Sequence, residues 1–239
     1  MNGNRELHAL LADKTWIGFD LDDTLHEFRR ASGAATSHVL RLISTQYGVD
    51  MAALEACYAR ILKVKTANAF SDGRTSTDYR RERFTSLLHD LSLPEENDIM
   101  ARILMQYNAT LAGALQLKPG AMELLSMLKA KGRKIVVVTE GPQDAQEWTL
   151  QQLGLAPLVD VLVTTSVFKT TKVDGLFGKV LQHLGVAPEE MVFVGDNYER
   201  DVLPAGEVGI LAIHYAEDSG GLVEHLKVAT LEELRCLFE

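Results

Sequence analysis

The chain has 239 residues, of which 46% are hydrophobic and 24% charged, and its formal net charge is −9. This length is sufficient for a core domain and a smaller second one, with about 70% of the unfolded surface buried. The acidic balance argues against general nucleic-acid binding and favours local basic patches that attract small anionic substrates. Only Cys57 and Cys236 occur, without C-x-x-C spacing, so we expect neither a zinc site nor a disulfide framework.

The amino-terminal residues contain no apolar signal core, and no apolar run approaches membrane-spanning length. We therefore expect a cytoplasmic protein with no membrane partner and no nucleic-acid partner. Either a monomer or a homodimer is compatible with the sequence.

Residues 16–19 form a short apolar run that ends in two acids, Asp20 and Asp22. Such a run is typical of a buried parallel strand whose carboxyl end opens into a site. A carboxylate held there can act as a nucleophile and metal ligand, and a second one two residues later can act as acid or base. The alternative is that both acids only cap the next turn.

The residues after these acids are predicted to shape the same turn. We expect Asp23 to help form it and the Thr24 hydroxyl to bond to its own backbone. His26 lies close enough to suggest a catalytic role, but such a residue more often lines a hinge, so it is left out of the predicted site.

Residues 25–116 are too many for a loop in a compact domain and predict a structured unit. Two stretches have apolar residues at helical spacing. They are Leu54, Cys57, Tyr58, Ile61 and Leu62, followed by Ile99, Met100, Ile103, Leu104, Tyr107 and Leu111. Further helices are expected at about 34–46 and 77–91, which makes a bundle of four.

The helix expected at 77–91 and the loop before it contain four arginines, Arg74, Arg80, Arg81 and Arg83. Guanidinium groups suit a second anionic group on a substrate. The favoured alternative is a solvated helix face, because Tyr79, Leu87 and Leu88 already account for the buried side.

Three later apolar runs predict three more strands, at 134–138, 159–165 and 191–194. Polar residues follow each run: Thr139 after the first, Lys169 and Lys172 after the second, and Asp196 and Asp201 after the third. The strand ends thus supply acids, a hydroxyl group and an ammonium group. A fifth strand at 208–214 and a short helix at 231–238 complete the predicted elements.

Hard oxygen ligands at two strand ends predict a metal ion. Asp20 and Asp196 come from ends that must be neighbours, and carboxylates with room for water and a substrate phosphate suit Mg²⁺ better than Zn²⁺. The cation would also let two close carboxylates stay ionised. Together with a lysine, it would neutralise the charge of a transferring phosphoryl group.

In chain order, D-x-D-x-T, a strand ending in Thr, a Lys and G-D-x-x-x-x-D resemble the motifs of the haloacid dehalogenase-like (HAD) superfamily of phosphatases and phosphoryl-transfer enzymes. The resemblance covers about residues 16–213. It implies an α/β fold with a doubly wound, mostly parallel, Rossmann-like sheet built from residues 1–24 and 117–239. Residues 25–116 would be an inserted helical C1 cap that closes over the active site, with hinges at about 25–31 and 117–120.

The resemblance also implies roles for individual residues. Asp20 would attack phosphorus and form an aspartyl-phosphate, Asp22 would act as acid and then as base, and Lys172 would neutralise the phosphate. Three residues at the end of the second strand would bind that phosphate: Thr139, Glu140 and Gly141. The Mg²⁺ ligands would be the side chains of Asp20, Asp196 and Asp201 and the main-chain carbonyl of Asp22. Asp201 would bind either directly or through a water.

Two departures from the family pattern bear on these roles. Glu140 stands where Asn is common, an acid near the expected phosphate that either weakens binding or turns outward. Val173 follows Lys172 where Pro is common, and Lys169 is a second candidate lysine. Lys172 is preferred, because Asp174 and the apolar pair after it fit the start of the next helix.

The sequence therefore predicts a Mg²⁺-dependent phosphatase that hydrolyses a small phosphorylated metabolite through an intermediate on Asp20. One alternative is a phosphomutase of the same family, which would return the phosphate to a sugar hydroxyl. The other is a phosphate-ester-binding protein with little turnover, for which Glu140 is the only support.

Overall fold

A six-stranded sheet carries the polar strand ends that the sequence predicts. The structure is a computed structural model and describes residues 8, 10–66, 70, 72–217 and 226–239. The strands are β1 (Trp16–Phe19), β2 (Lys134–Thr139), β3 (Val161–Thr164), β4 (Met191–Gly195), β5 (Leu211–Tyr215) and β6 (Lys227–Val228). The helices are α1 (Phe28–Tyr47), α2 (Met51–Thr66), α3 (Ser76–Asp90), α4 (Asn97–Ala114), α5 (Ala121–Ala130), α6 (Gln143–Gln152), α7 (Thr165–Phe168), α8 (Phe177–Leu184), α9 (Leu203–Glu207) and α10 (Leu231–Phe238). Further helical turns of other types span Ala156–Leu158, Lys172–Leu176, Pro188–Glu190 and Tyr198–Val202.

Every pairing in this sheet is parallel, and the strand order is β3-β2-β1-β4-β5-β6. The chain moves outward from β1 first in one direction and then in the other, so the sheet is doubly wound. Such a sheet binds its ligand outside the carboxyl ends of the strands where the order reverses, here β1 and β4. The predicted Rossmann-like α/β fold is confirmed, and the short β6 is an addition that the sequence pattern did not predict.

Apolar side chains cover both faces of the sheet, which explains why the strands are apolar runs rather than alternating patterns. On one face Phe19 and Val137 pack with α5 and α10, and on the other Val136 and Phe193 pack with α8 and α9. Gly18 in β1 leaves room for the Phe193 ring, because a Cβ there would lie 2.7 Å from Phe193 Cδ2. Within the described parts of the chain, no helix has both the length and the apolar character needed to cross a membrane.

Helices α1 to α4 form a bundle with its own apolar core, separate from the two clusters on the sheet. Tyr58 of α2 stacks on Phe84 of α3 with ring centroids 5.4 Å apart, and Phe84 meets Tyr107 of α4 edge-on. The helices that the apolar spacing predicts are therefore present. The division into a core of residues 1–24 and 117–239 and a cap of residues 25–116 stays a prediction.

Helix α1 begins at Phe28, before its predicted start near residue 34, so residues 28–31, the last part of the predicted first hinge, are helical. The Asp23 carboxylate accepts a hydrogen bond of 3.0 Å from the Arg29 N–H. A side chain outside the helix thus satisfies a backbone N–H of its first turn and helps to set where α1 begins. Apolar periodicity does not reveal such a contact, so it placed the start of the helix too late.

The two connections between the bundle and the sheet run side by side. Glu27 N–H donates to the Gln116 carbonyl, and Lys118 N–H donates to the Leu25 carbonyl, both at 2.9 Å. The buried Lys118 ammonium also lies 3.0 Å from Glu27. The bundle is thus joined to the sheet through a short paired segment.

Candidate active site

Parallel register brings the carboxyl ends of β1 and β4 together. Phe19 lies opposite Val194, so Asp20 follows beside the end of β4, where Asp196 begins the next loop. The Asp20 N–H donates to the Val194 carbonyl at 2.8 Å, which continues the ladder by one residue. The two motif carboxylates therefore meet because of strand pairing rather than through any contact between their side chains.

Lys172 lies between two buried carboxylates at this edge. Its Nζ is 2.5 Å from Oδ1 of Asp20 and 2.5 Å from Oδ1 of Asp201. Asp20 is 6% exposed, and Asp201 and Lys172 are each 2% exposed. Ionised groups at this depth are tolerated only when they are paired, and here one ammonium group serves two carboxylates. Lys169, the alternative lysine, is exposed.

These charges shift one another's pKa values. Burial raises the pKa of Asp20 well above its usual value, with Lys172 opposing the shift and the neighbouring Asp201 and Asp22 adding to it. Burial and then Asp201 also raise the pKa of Asp196. Burial would lower the pKa of Lys172, but the two carboxylates outweigh it and raise that pKa. The cluster thus carries more negative charge than one lysine neutralises, and a bound cation would relieve the excess.

The residues present fit a magnesium ion. Asp20, Asp196 and Asp201 each offer one carboxylate oxygen, and these atoms lie within 4.8 Å of one another. All three donors are hard oxygen atoms, which suit Mg²⁺ better than Zn²⁺. The Asp22 side chain is not in this group, so its predicted part as a ligand rests on the main-chain carbonyl.

Thr24 connects the first and fourth motifs. Its hydroxyl accepts a hydrogen bond from the Asp196 N–H at 3.0 Å and donates to Oδ2 of Asp20 at 3.4 Å. The prediction that this hydroxyl bonds to its own backbone is wrong, because the pairing of β1 with β4 offers it a partner from the other motif. A glycine is also required at position 195, since a Cβ there would overlap the Asp201 side chain.

Asp22 is held by two residues that sequence reasoning did not place in the site. His26 Nε2 lies 2.9 Å from Oδ1 of Asp22, and Gln146 of α6 donates to Oδ2 at 3.4 Å. His26 is fully buried, and its Nδ1 has no hydrogen-bond partner among the described residues. The sequence could have indicated the contact of His26, because it stands only four residues after Asp22. Gln146 lies on α6, far along the chain, so nothing in the sequence indicates its contact with Asp22.

Both carboxylate oxygens of Glu140 have partners. Oε1 accepts a hydrogen bond of 2.9 Å from the Lys172 N–H, and Oε2 forms an ion pair with Arg200. This acid therefore fastens the lysine segment to the end of β2, with its charge paired. Next to it, the buried Thr139 hydroxyl has no partner among the described residues. A Cβ on Gly141 would overlap a side chain of α6.

Arg29 brings a cation to the acidic edge from α1. Its guanidinium lies 3.2 Å from Asp23 and 3.2 Å from Asp196. The side chain is 73% exposed, so solvent screens both ion pairs. Sequence reasoning assigned this residue to the hinge and did not place it in the site.

Two cavities share Asp22 in their linings. The smaller, of about 310 Å³, lies over Asp20 and Lys172, and the larger, of about 660 Å³, is enclosed by the sheet edge and the helical bundle. Gln146 lines the larger one from the sheet side, and Tyr58 and other residues of α1 to α4 line it from the bundle. A phosphate over Lys172 would therefore leave room for an attached group beside Asp22.

Helix α3 is fastened to α6 at its first residue, beside the larger cavity. Thr75 and Asp78 form a capping box that starts α3. The N–H and hydroxyl of Ser76 then donate to the Asp144 carboxylate at 2.9 and 2.8 Å. Trp148 of α6 packs against the apolar core of the bundle. Together these contacts hold the bundle against the sheet.

The sequence profile of haloacid dehalogenase-like hydrolases matches residues 15–209, which contain all the predicted motifs. The chain belongs to the haloacid dehalogenase-like hydrolases. It is similar to the glyceraldehyde 3-phosphate phosphatase of Methanocaldococcus jannaschii, with 27% identity over 199 residues that cover 82% of each chain. It is also similar to the N-acylneuraminate-9-phosphatase of Rattus norvegicus, with 23% identity over 231 residues that cover 93% of each chain.

Among solved structures, this HAD-like hydrolase is similar to the HAD-hydrolase YfnB from Bacillus subtilis, which was determined bound to magnesium. The TM-score is 0.71 at 22% identity, over 94% of this chain and 98% of that one. At this identity the likeness shows the fold alone. The family membership that the motif order indicates is confirmed, while the roles of individual residues stay predictions.

Proposed function

We propose that this HAD-like hydrolase is a Mg²⁺-dependent phosphatase that cleaves a small phosphorylated metabolite through an aspartyl-phosphate on Asp20. The observation that carries the proposal is the convergence of the Asp20, Asp196 and Asp201 carboxylates, two of them on Lys172, with Asp22 beside a cavity of suitable size. Both relatives are named as phosphatases, which supports phosphomonoester hydrolysis.

In the first half-reaction, a carboxylate oxygen of Asp20 forms a bond to phosphorus while the ester P–O bond breaks. The leaving oxygen takes a proton from Asp22, which lines the cavity that would hold the leaving group. Lys172 and the Thr139 hydroxyl, which no described residue partners, would contact the phosphoryl oxygens. Positioning and charge neutralisation supply most of the catalysis in such a transfer.

In the second half-reaction, a water attacks phosphorus and gives its proton to Asp22. The bond between Asp20 and phosphorus breaks, and inorganic phosphate is released. His26 and Gln146 hold Asp22 on both of its oxygens, so the same carboxylate is positioned for both proton transfers.

A bound Mg²⁺ would supply positive charge that neutralises the phosphoryl group and the crowded carboxylates. EDTA should therefore abolish turnover, and added Mg²⁺ should restore it. Mg²⁺ should also raise the melting temperature in the absence of substrate, because it binds the folded chain and not the unfolded chain. Full turnover in EDTA together with no thermal shift would contradict the metal assignment.

The nucleophile is tested by Asp20→Asn, which should abolish phosphate release from p-nitrophenyl phosphate because an amide cannot replace the attacking carboxylate. Acid quenching of the wild type with ³²P-labelled substrate should label the peptide that contains Asp20. Asp23→Asn, the same change in the same turn but outside the carboxylate cluster, should keep the label. Full turnover by Asp20→Asn, or a label on another peptide, would refute the proposal. Release of inorganic phosphate rather than an isomerised ester distinguishes a hydrolase from a phosphomutase.

A further inference from the structure

One guanidinium group in the larger cavity has an unmet hydrogen-bond donor. Arg83 of α3 lines the cavity, and its Nε is buried without a partner among the described residues. The acid next to it in the chain, Glu82, is already paired with Lys65 and Arg74 at 2.5 and 2.6 Å. A buried donor on a charged group is costly to leave unsatisfied. The guanidinium that carries this donor lines the cavity, so an anion that enters would meet a cation whose partners among the described residues are incomplete.

The neighbouring arginines differ from Arg83 in this respect. Arg80 also lines the cavity, but it donates to Asn108 at 2.9 Å and its guanidinium lies 5.0 Å from the centroid of the Tyr107 ring. Arg81 is exposed and does not line the cavity. The solvated helix face that the sequence favours is therefore wrong for Arg83 and correct for Arg81.

The walls around Arg83 are suited to a hydroxylated ligand. The Tyr58 hydroxyl lies beside it, and burial raises the pKa of that hydroxyl while the Arg83 charge partly opposes the shift, so the group stays a neutral donor. Thr36 and Ser37 of α1 add two more hydroxyl groups to the lining. Glu55, the acid that α2 contributes to the lining, is exposed, so solvent screens its charge.

We infer that Arg83 binds a second anionic group, a carboxylate or a phosphate, on the part of the substrate remote from the scissile phosphate. The inference rests on the proposed phosphatase function, because the leaving group would enter this cavity past Asp22. The substrate class is then a phosphomonoester of a hydroxylated carbon chain that ends in an acid. Arg83 determines specificity, since a guanidinium fork pairs strongly with either anion in a partly buried site.

Three phosphomonoesters of equal carbon number test this assignment: one ends in a carboxylate, one in a second phosphate and one in a hydroxyl. For the Mg²⁺-loaded wild type, kcat/KM should be higher for an anionic-ended ester than for the hydroxyl-ended one. In Arg83→Met, the ratio of these two kcat/KM values should fall about 10- to 100-fold, mainly through KM. Arg83→Lys should recover part of the ratio, because it keeps the charge and loses the fork. Arg81→Met, on the same helix but outside the cavity, should leave the ratio unchanged.

If Arg83→Met lowers kcat/KM only for the carboxylate-ended ester or only for the phosphate-ended ester, the inference is supported and the anion is identified. An unchanged ratio in Arg83→Met, or an equal loss on all three esters, overturns it. If Arg83→Met does not fold, the ratio in Arg83→Lys decides by the same criterion. Phosphate release by the wild type distinguishes failure of the proposed function from failure of the inference. No release from any of the three esters or from p-nitrophenyl phosphate overturns the proposed function and the inference with it, whereas turnover with an unchanged ratio overturns the role of Arg83 alone.

Discussion

The carboxyl edge of the sheet and the cavity beneath the helical bundle share Asp22, yet they are built in opposite ways. At the sheet edge the charged groups are paired with one another, with Lys172 between two carboxylates and Thr24 joining two motifs. In the cavity, Arg83 keeps a buried nitrogen that no described residue satisfies. The difference suggests a division of labour in which the edge provides what every phosphomonoester needs and the cavity wall distinguishes one ester from another.

The two regions also depend on different parts of the structure. The geometry of the edge follows from strand register, which sets main-chain positions along β1 and β4. The size of the cavity follows from how the bundle lies on the sheet, through Ser76, Asp144 and Trp148. Substitutions at the edge should therefore change kcat, and substitutions around the bundle should change KM.

Apart from loss of the nucleophile, the largest expected effect comes from Lys172→Met at the sheet edge. We expect kcat to fall about 10²- to 10³-fold, because the phosphoryl oxygens lose a preorganised cation. The melting temperature without metal should also fall, since two buried carboxylates lose their shared partner, and added Mg²⁺ should raise it more than in the wild type. Steady-state kinetics and thermal denaturation, with Lys169→Met as the control, measure both. An active Lys172→Met would locate the neutralising charge elsewhere.

The next effect concerns Asp22, which lines both cavities. His26→Gln should lower kcat about 10- to 100-fold for an alkyl phosphate, because Asp22 loses one of the two partners that position it for protonating the leaving oxygen. The loss should be smaller for p-nitrophenyl phosphate, whose leaving group needs no proton. The control is His38→Gln, which makes the same change at a half-buried histidine of α1. Equal losses on both substrates would limit His26 to a structural role.

A smaller effect is expected where the bundle meets the sheet. Asp144→Ala removes the acceptor for the Ser76 N–H and hydroxyl, so closure over the cavity becomes less favourable. KM should rise about 3- to 10-fold while kcat changes less, as measured on the substrate with the highest kcat/KM. Glu147→Ala on the exposed face of α6 serves for comparison. An unchanged KM would show that the packing of Trp148 is sufficient to hold the bundle against the sheet without the Asp144 hydrogen bonds.

The smallest effect separates stability from catalysis within the sheet region. Partial burial would raise the pKa of Asp160, but hydrogen bonds from Lys129 at 2.6 Å and the Ile135 N–H at 2.7 Å outweigh it, and the pKa is lowered. Because the folded state then binds fewer protons, this stabilisation is present above the unfolded pKa of about 3.9 and is lost as the pH falls through the folded pKa. Asp160→Asn should lower the free energy of unfolding at pH 7 by about 0.5–1 kcal/mol after solvent screening, and by less at pH 3.

Urea denaturation at both pH values measures this difference, and kcat/KM should not change. Asp98→Asn, on the exposed first turn of α4, is the matched control. A difference that persisted at pH 3 would assign the effect to packing rather than to charge.

Much of the site could be predicted because its residues stand next to the elements that position them. Asp20 follows a four-residue apolar strand, and the positions of Asp196 and Thr139 at later strand ends require only that the sheet be parallel. The partners of Glu140 and Thr24 could not be predicted, because each bonds to a segment that strand pairing brings near from elsewhere in the chain.

By itself, the sequence determined the family, the parallel sheet and the order in which polar groups reach its edge, because apolar periodicity and motif spacing are local properties. Only the tertiary structure decided that Arg83 is half-buried in the cavity wall while Arg81 is exposed, and that His26 holds Asp22. Whether a side chain is buried against another element depends on how the bundle packs on the sheet, and that packing is the sum of many contacts between residues far apart in the chain.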